Sequence, residues 1–266
     1  VAISYIAAAR NTWSSGEPTI THGLTIIEND VLVAVIHIND YHSYGVASSG
    51  FTEDVDQSTI GTSSFMLCHK VAGASEPGTY TWDVDTTSDY GGVTLLQFRG
   101  VDTDNVWDVA PPTALEYQPS AGDWEGDDPW ASPQALSRST SYDGSMAILV
   151  AMVDTGAYYD YFTAVGNSFE NLYNTPTGSA SSVVIGTATK TISTAGAIGT
   201  TSITPEVSSQ DCTVGLMALR AASAGTDHPL AGTVSATAAL TTTPLLLNYY
   251  TLVATQDGTE IDLTWS

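Results

Sequence analysis

Asp30-Val31-Leu32-Val33-Ala34-Val35-Ile36 and Ser145-Met146-Ala147-Ile148-Leu149-Val150-Ala151 are the stretches from which the fold is read. Each is apolar at nearly every position, and the first is rich in β-branched residues. Each is also shorter than an ordinary helix. Such runs read as strands covered on both faces rather than as one side of an exposed sheet. Two packed sheets would supply that cover, as would contacts with other subunits.

Working outward, the two runs head two similar series. Phe51-Thr52-Glu53 corresponds to Phe169-Glu170-Asn171, and the strand Ser64–Val71 to Ser182–Thr189. Val93-Thr94-Leu95-Leu96-Gln97-Phe98-Arg99 corresponds to Val214-Gly215-Leu216-Met217-Ala218-Leu219-Arg220. The order is kept and the repeat is far too long for a solenoid. Two pseudo-repeated halves, each giving antiparallel strands to one sandwich, are expected. Helical periodicity is nearly absent. The expected strands are Val1–Ala8, Gly23–Ile27, Val31–Ile38, Ser63–Val71, Gly78–Val84, Val93–Arg99, Met146–Val153, Ser181–Thr189, Gly199–Ile203 and Thr213–Arg220. Gly, Asp, Asn, Ser and Pro punctuate them.

Asp102 to Ser141 separates the halves. Its Pro, Trp, Asp and Gly exclude central strands, and it reads as a long functional or surface-packing loop. After Arg220 the texture becomes small and polar. The expected division is therefore a two-half sandwich over 1–222, a linker over 223–247, and an incomplete further domain over 248–266. In the last, Leu252 to Trp265 alternates around Asp257-Gly258, a hairpin signal. The chain stops inside a strand-like run, so a longer polypeptide is expected.

Composition narrows the functional classes. The chain has 266 residues, 42% of them hydrophobic, enough to bury a core without staples. Six Lys and Arg against 29 Asp and Glu give a net charge of −23. Nothing there neutralises a phosphate backbone or an anionic membrane surface, so nucleic acid is not an expected partner. No run is long enough for a membrane helix, so direct membrane insertion is not expected either. The acidity suits solubility, with bound cations or a salty habitat as sharper readings. Cys68 and Cys212 lie outside any zinc-like cluster; buried free thiols and one disulfide between distant strands both remain open.

One run of motifs carries a resemblance. It comprises Asp30–Ile38, then Gly50-Phe51-Thr52, then Lys70-Val71-Ala72-Gly73-Ala74-Ser75-Glu76-Pro77-Gly78-Thr79-Tyr80-Thr81-Trp82, then Phe98-Arg99-Gly100-Val101-Asp102. Over roughly Val1 to Ala222 this resembles the two-half, jelly-roll-like β-sandwich module of tailed-phage structural proteins and bacterial extracellular proteins. Thr251–Ser266 is similar to the first two strands of a fibronectin-III domain, including its core Trp. Gly-Phe-Thr stands where that module usually has Gly-Trp-Thr. The resemblance implies display and adhesion roles on a virion surface or outside the cell.

The chemistry-bearing residues fit that expectation. No HxH, HExxH, GxSxG or phosphate-cradling motif occurs, and the plentiful acidic residues cluster in loops without a distinctive frame, so a hydrolase is the weakest reading and an enzyme is not expected. His37 and His69 sit in expected strands and read as structural. No cofactor is expected beyond calcium, for which Asp102, Asp104, Asp123, Asp127 and Asp128 offer hard oxygen ligands on loops. Tyr41 and Tyr44 follow the first long strand, and Tyr158, Tyr159 and Tyr161 follow its repeat partner. With Trp124 and Trp130 they are candidates for stacking on a glycan or anchoring a protein. The alternative is packing over the sandwich end or against a neighbouring subunit. Two functional expectations result. The first is a virion structural protein (capsid decoration, turret, fibre or tail component) that assembles with itself and with other virion or surface proteins. The second is a bacterial or archaeal cell-surface adhesin or carbohydrate-binding module whose partner is a host-surface glycan.

Overall fold

The structure is a computed structural model. It describes residues 2–38, 50–60, 63–83, 91–112, 116–118, 134–154, 162–176, 183–205, 212–223, 252–257 and 260–265. The chain forms two compact units, Val1–Thr226 and Asp227–Ser266.

The first half contributes β1 (Ser4–Trp13), β2 (Thr19–Thr21), β3 (Val31–Ile38), β4 (Thr52–Ile60), β5 (Ser63–Val71), β6 (Thr79–Thr81) and β7 (Gly91–Arg99). The connecting region holds β8 (Trp107–Val109), β9 (Glu116–Gln118) and β10 (Gln134–Ala135). The second half supplies β11 (Ser145–Asp154), β12 (Phe162–Val165), β13 (Glu170–Pro176), β14 (Val183–Ile192), β15 (Thr201–Pro205) and β16 (Cys212–Leu219). In the second unit, β17 (Leu252–Asp257) and β18 (Glu260–Trp265) pair as the expected hairpin, Leu252 opposite Trp265 and Asp257 opposite Glu260. No helix occurs among the described residues.

The chain is an all-β protein, an antiparallel β-sandwich built from two like halves. One main sheet has the order β1-β7-β3-β5-β4. The other has β13-β14-β11-β16-β8, with β9 also paired to β16. Read in the same sense, β3 matches β11, β5 matches β14, β4 matches β13 and β7 matches β16. Registers make the match residue by residue. Val31 faces Val71 and Phe98, while Met146 faces Thr191 and Leu219. This makes Val71 equivalent to Thr191, not to Thr189. The sequence alignment of that one strand is two residues out, a slip that keeps every side chain on its face and so leaves the apolar pattern unchanged.

Side-chain parity explains the unbroken apolar runs. Val31, Val33 and Val35 point into a core shared with Met146, Ile148, Val150 and Met152 of the other sheet. The alternate residues Leu32, Ala34, Ile36 and Ile38 point outward, beneath Ile20, Phe51, Tyr80 and Trp82. Ala147, Leu149 and Ala151 likewise lie beneath Phe162, Phe169, Ile198 and Ile203. The unit is therefore four layers deep, two main sheets inside two covers: β2-β6 over one and β10-β15-β12 over the other. Intramolecular layers, with no second subunit, supply the cover on both faces.

Three expectations change. Gly23–Ile27 is not a strand; Leu24 and Ile26 pack as an unpaired cover segment. Thr52–Ile60 is a strand that the sequence hid, because an edge strand carrying Glu53, Asp54 and Asp56 lacks apolar alternation. The Asp102–Ser141 connection is not structureless, since it contains β8, β9 and β10. Pairings along the sheet borders are irregular, with register breaks at Tyr5/Ala7 in β1, Glu53/Val55 in β4 and Glu170/Tyr173 in β13. Such bulges blunt edge-to-edge association.

Candidate functional site

The strand directions give the first unit two unlike poles. β3 begins where β5 and β7 end and where β1 starts, since Val31 pairs with Val71 and Phe98, and Ser4 with Arg99. β11 begins at the same pole, because Ile3 N donates to Gly144 O across the two sheets (3.5 Å). We call it the turn pole.

A carboxylate organises each half there, Asp30 buried and Asp108 half-buried. Asp30 is fully buried and accepts from Arg99 Nε at 2.8 Å, Arg99 Nη2 at 3.0 Å, Gln97 Nε2 at 2.6 Å and Ile27 N at 3.0 Å. Burial works against its charge. The hydrogen bonds from Arg99, Ile27 and Gln97 outweigh that penalty and hold the carboxyl below its ordinary range. In the second half Ser145 takes the place of Asp30, and Asp108 reaches in from β8 instead. Asp108 accepts from Ser145 Oγ at 2.6 Å and from the backbone N–H groups of Ser141 (2.9 Å) and Tyr142 (3.2 Å). Both turns need one residue in the left-handed region, met by Asn29 (φ 68°) and Gly144 (φ 77°). The halves are then strapped together. Val101 bridges Ala221, Asp102 N donates to Arg220 O at 2.9 Å, and Ala222 N donates to Gly100 O at 2.9 Å.

Of the calcium candidates, Asp102 and Asp104 fall at this strap. Asp102 Oδ1 accepts from the N–H groups of Asp104 (3.0 Å) and Asn105 (3.1 Å), and Oδ2 pairs with Arg220 Nε at 3.2 Å. Asp102 is thus engaged as a turn cap and ion-pair partner. Among the described residues no three His, Cys, Asp or Glu side chains gather as a metal site. Asp123, Asp127 and Asp128 lie outside the described residues.

The opposite pole is where β3 ends at Ile38, β4 ends, β5 begins and β7 begins. It is also where β11 ends, β13 meets β14 at Pro176 and Val184, and β16 begins opposite Gln118 of β9. Tyr41, Tyr44, Trp124, Trp130, Tyr158, Tyr159 and Tyr161 lie outside the described residues. The strand ends that lead into their segments, at Ile38, Gln118 and Asp154, all stand at this second pole, the loop pole. The segments 39–49, 84–90, 119–133, 155–161 and 206–211 contain Asp or Glu, and neither they nor 61–62 and 177–182 contain Lys or Arg.

Two polar clamps flank the shared core. On one side Asp54 accepts from Trp107 Nε1 at 2.8 Å and meets His69 Nδ1 at 2.7 Å, while the His69 and Trp107 rings meet edge to face. On the other, the Arg10 guanidinium donates to Asn174 O and lies 5.6 Å from the Tyr173 ring centroid. These clamps join the two main sheets through residues that are not adjacent in sequence, and sequence reading missed them. Only the acid-rich start of β4 marked Asp54. Cys68 is a buried free thiol whose burial pushes it far up from the ordinary thiol range, which leaves it inert.

No protein-family model, curated protein or solved structure matches this chain. The fold and its two poles therefore carry the functional reading.

Proposed function

We propose that the chain is a structural display protein of the virion type, a decoration, turret, fibre or tail component that assembles into an oligomer and presents its loop pole outward. One observation supports this most. The chain leaves its first unit through Ala222 at the turn pole, strapped to Gly100, whereas the aromatic and acidic segments depart from the opposite pole. A body whose chain exit stands at one end and whose aromatic and acidic segments leave from the other suits presentation. The four-layer core and the bulged borders suit a passive scaffold whose contacts are made by segments at its end rather than by sheet edges.

The aromatic residues favour one second reading, an adhesin or carbohydrate-binding module. Tyr44 and Tyr158 belong to equivalent segments of the two halves, and tyrosine faces stack on sugars. In either role the partner is not anionic, since those segments would repel it.

The test is the full chain examined by light scattering and negative-stain microscopy, beside a glycan array. Rings, spikes or other closed symmetric assemblies without glycan affinity support the virion reading. Monomers whose glycan binding disappears on Tyr44→Ala or Tyr158→Ala refute it in favour of the adhesin. Turnover of a substrate that depends on specific side chains would refute both.

A further inference from the structure

We infer that the sandwich carries an acid-sensitive latch at its loop pole, in which proton uptake by the buried imidazole of His37 parts the ends of the two main sheets there. This inference stands apart from the display reading.

His37 is the penultimate residue of β3 and is 3% exposed. Its parity places it on the face of Val31, Val33 and Val35, the inner face of the sandwich. Its Nδ1 is buried with no hydrogen-bond partner. The cross-strand neighbours are Phe65 and Gly92. From the second sheet Thr175 Cγ2 and Ile185 Cδ1 lie 3.3 and 3.6 Å from the point a side chain on Gly92 would occupy. None of these four ionises.

Among the described residues, the ionisable groups on the other packed elements give little help to a cation. Arg10 of β1 is itself positive and engaged at Asn174 O, and Tyr173 of β13 lies beneath that guanidinium. β14 carries its lysine, Lys190, at the turn-pole end; β11 carries one ionisable residue, Asp154, its last, at the loop pole, and its charge does not offset the burial of the His37 imidazole. Burial alone accordingly pushes the imidazole down to about 3. The duplicated fold supplies its own control. The residue equivalent to His37 is Met152, which faces Ile185 and Thr213 and cannot titrate.

The sign is fixed by linkage. A histidine whose folded pKa is depressed keeps the closed state intact above its open-state value near 6.5. Closure is lost progressively as the pH falls towards the folded value. Asp30 is the opposite case, its carboxyl held ionised to lower pH, so the turn pole stays tied while the loop pole loosens.

The experiment is native hydrogen exchange on the full chain at pH 7 and pH 5, corrected for intrinsic exchange, comparing wild type with His37→Met and His37→Gln. Wild type should show about 25-fold more frequent opening at the loop-pole ends of β3 and β7 at pH 5, with little change around Asp30. Both variants should show no such rise. If His37→Met fails to fold, His37→Gln, neutral and similar in size, decides alone. Equal pH dependence in variant and wild type, no rise in wild type, or an equal rise at both poles would each overturn the latch.

Discussion

Replacing Asp30 with alanine tests the organisation of the turn pole most directly. The change removes the acceptor of one buried donor, Gln97 Nε2 at 2.6 Å, and of one half-buried donor, Ile27 N at 3.0 Å. Hydrogen bonds to an ionised acceptor contribute roughly 1.5–3 kcal/mol each. Gln97 keeps a second bond to Thr25 O at 2.9 Å, so the lower end applies and the sum is about 3 kcal/mol. The Arg99 contact is left out of that sum, because the guanidinium stands half in water and regains solvation when the carboxylate goes. For a unit of this size about 3 kcal/mol lowers Tm by roughly 6–12 °C. Scanning calorimetry at pH 7 measures it. The pH dependence supplies an internal check. The Asp30 carboxyl is held below its ordinary range, so its contribution is present above about pH 4 and lost as the pH falls further. Wild type and Asp30→Ala should therefore differ by a constant amount from pH 7 to about pH 4.5 and converge below. A loss under about 1 kcal/mol at pH 7, or a difference that shrinks well above pH 5, would refute the view that this buried carboxylate ties the first half together.

Other outcomes follow from the same packing. Gly186→Ala places a methyl group 2.2 Å from Phe162 Cδ2 and should cost about 1–3 kcal/mol by lifting the β10-β15-β12 cover; a variant with unchanged Tm would refute that account of the cover. Trp107→Phe leaves Asp54 Oδ1 without its donor and should cost about 1–2 kcal/mol, and a double-mutant cycle with His69→Gln should show coupling rather than additivity. Residues 1–106 expressed alone should remain largely unfolded by circular dichroism, because Met146, Ile148, Val150 and Met152 form one wall of the core that Val31, Val33 and Val35 fill; a cooperative melt of that fragment would contradict a shared core.

The halves illustrate how a duplicated sequence can keep a fold while exchanging its parts. Phe51 and Phe169 hold equivalent places at the starts of β4 and β13, and Lys70 and Lys190 lie 5.9 Å from their respective ring centroids. Their acceptors differ, Glu76 for Lys70 and Asn167 for Lys190. Asp30, just before β3, and Asp108, within β8, do the same work from different places in the chain. Four of the six lysines and arginines in the chain are thus committed near the turn pole, where each has a local acceptor. The net charge is left to the rest of the surface and to the connecting segments.

Strand identity and duplication were legible in the sequence because both are local. A run such as Val31 to Ile36 can satisfy its backbone only as a strand and its side chains only by cover on both faces. The same pattern recurring before Arg220 as before Arg99 reports a second copy. Charged border strands such as Thr52–Ile60 were not legible, because an edge needs no apolar period. The cover layers, the clamps at Asp54 and Arg10, the isolation of His37 and the gathering of strand ends at one pole were decided by tertiary structure alone. Each depends on which face of one sheet meets another, and that is set by pairing between residues far apart in the chain, which no window of sequence contains.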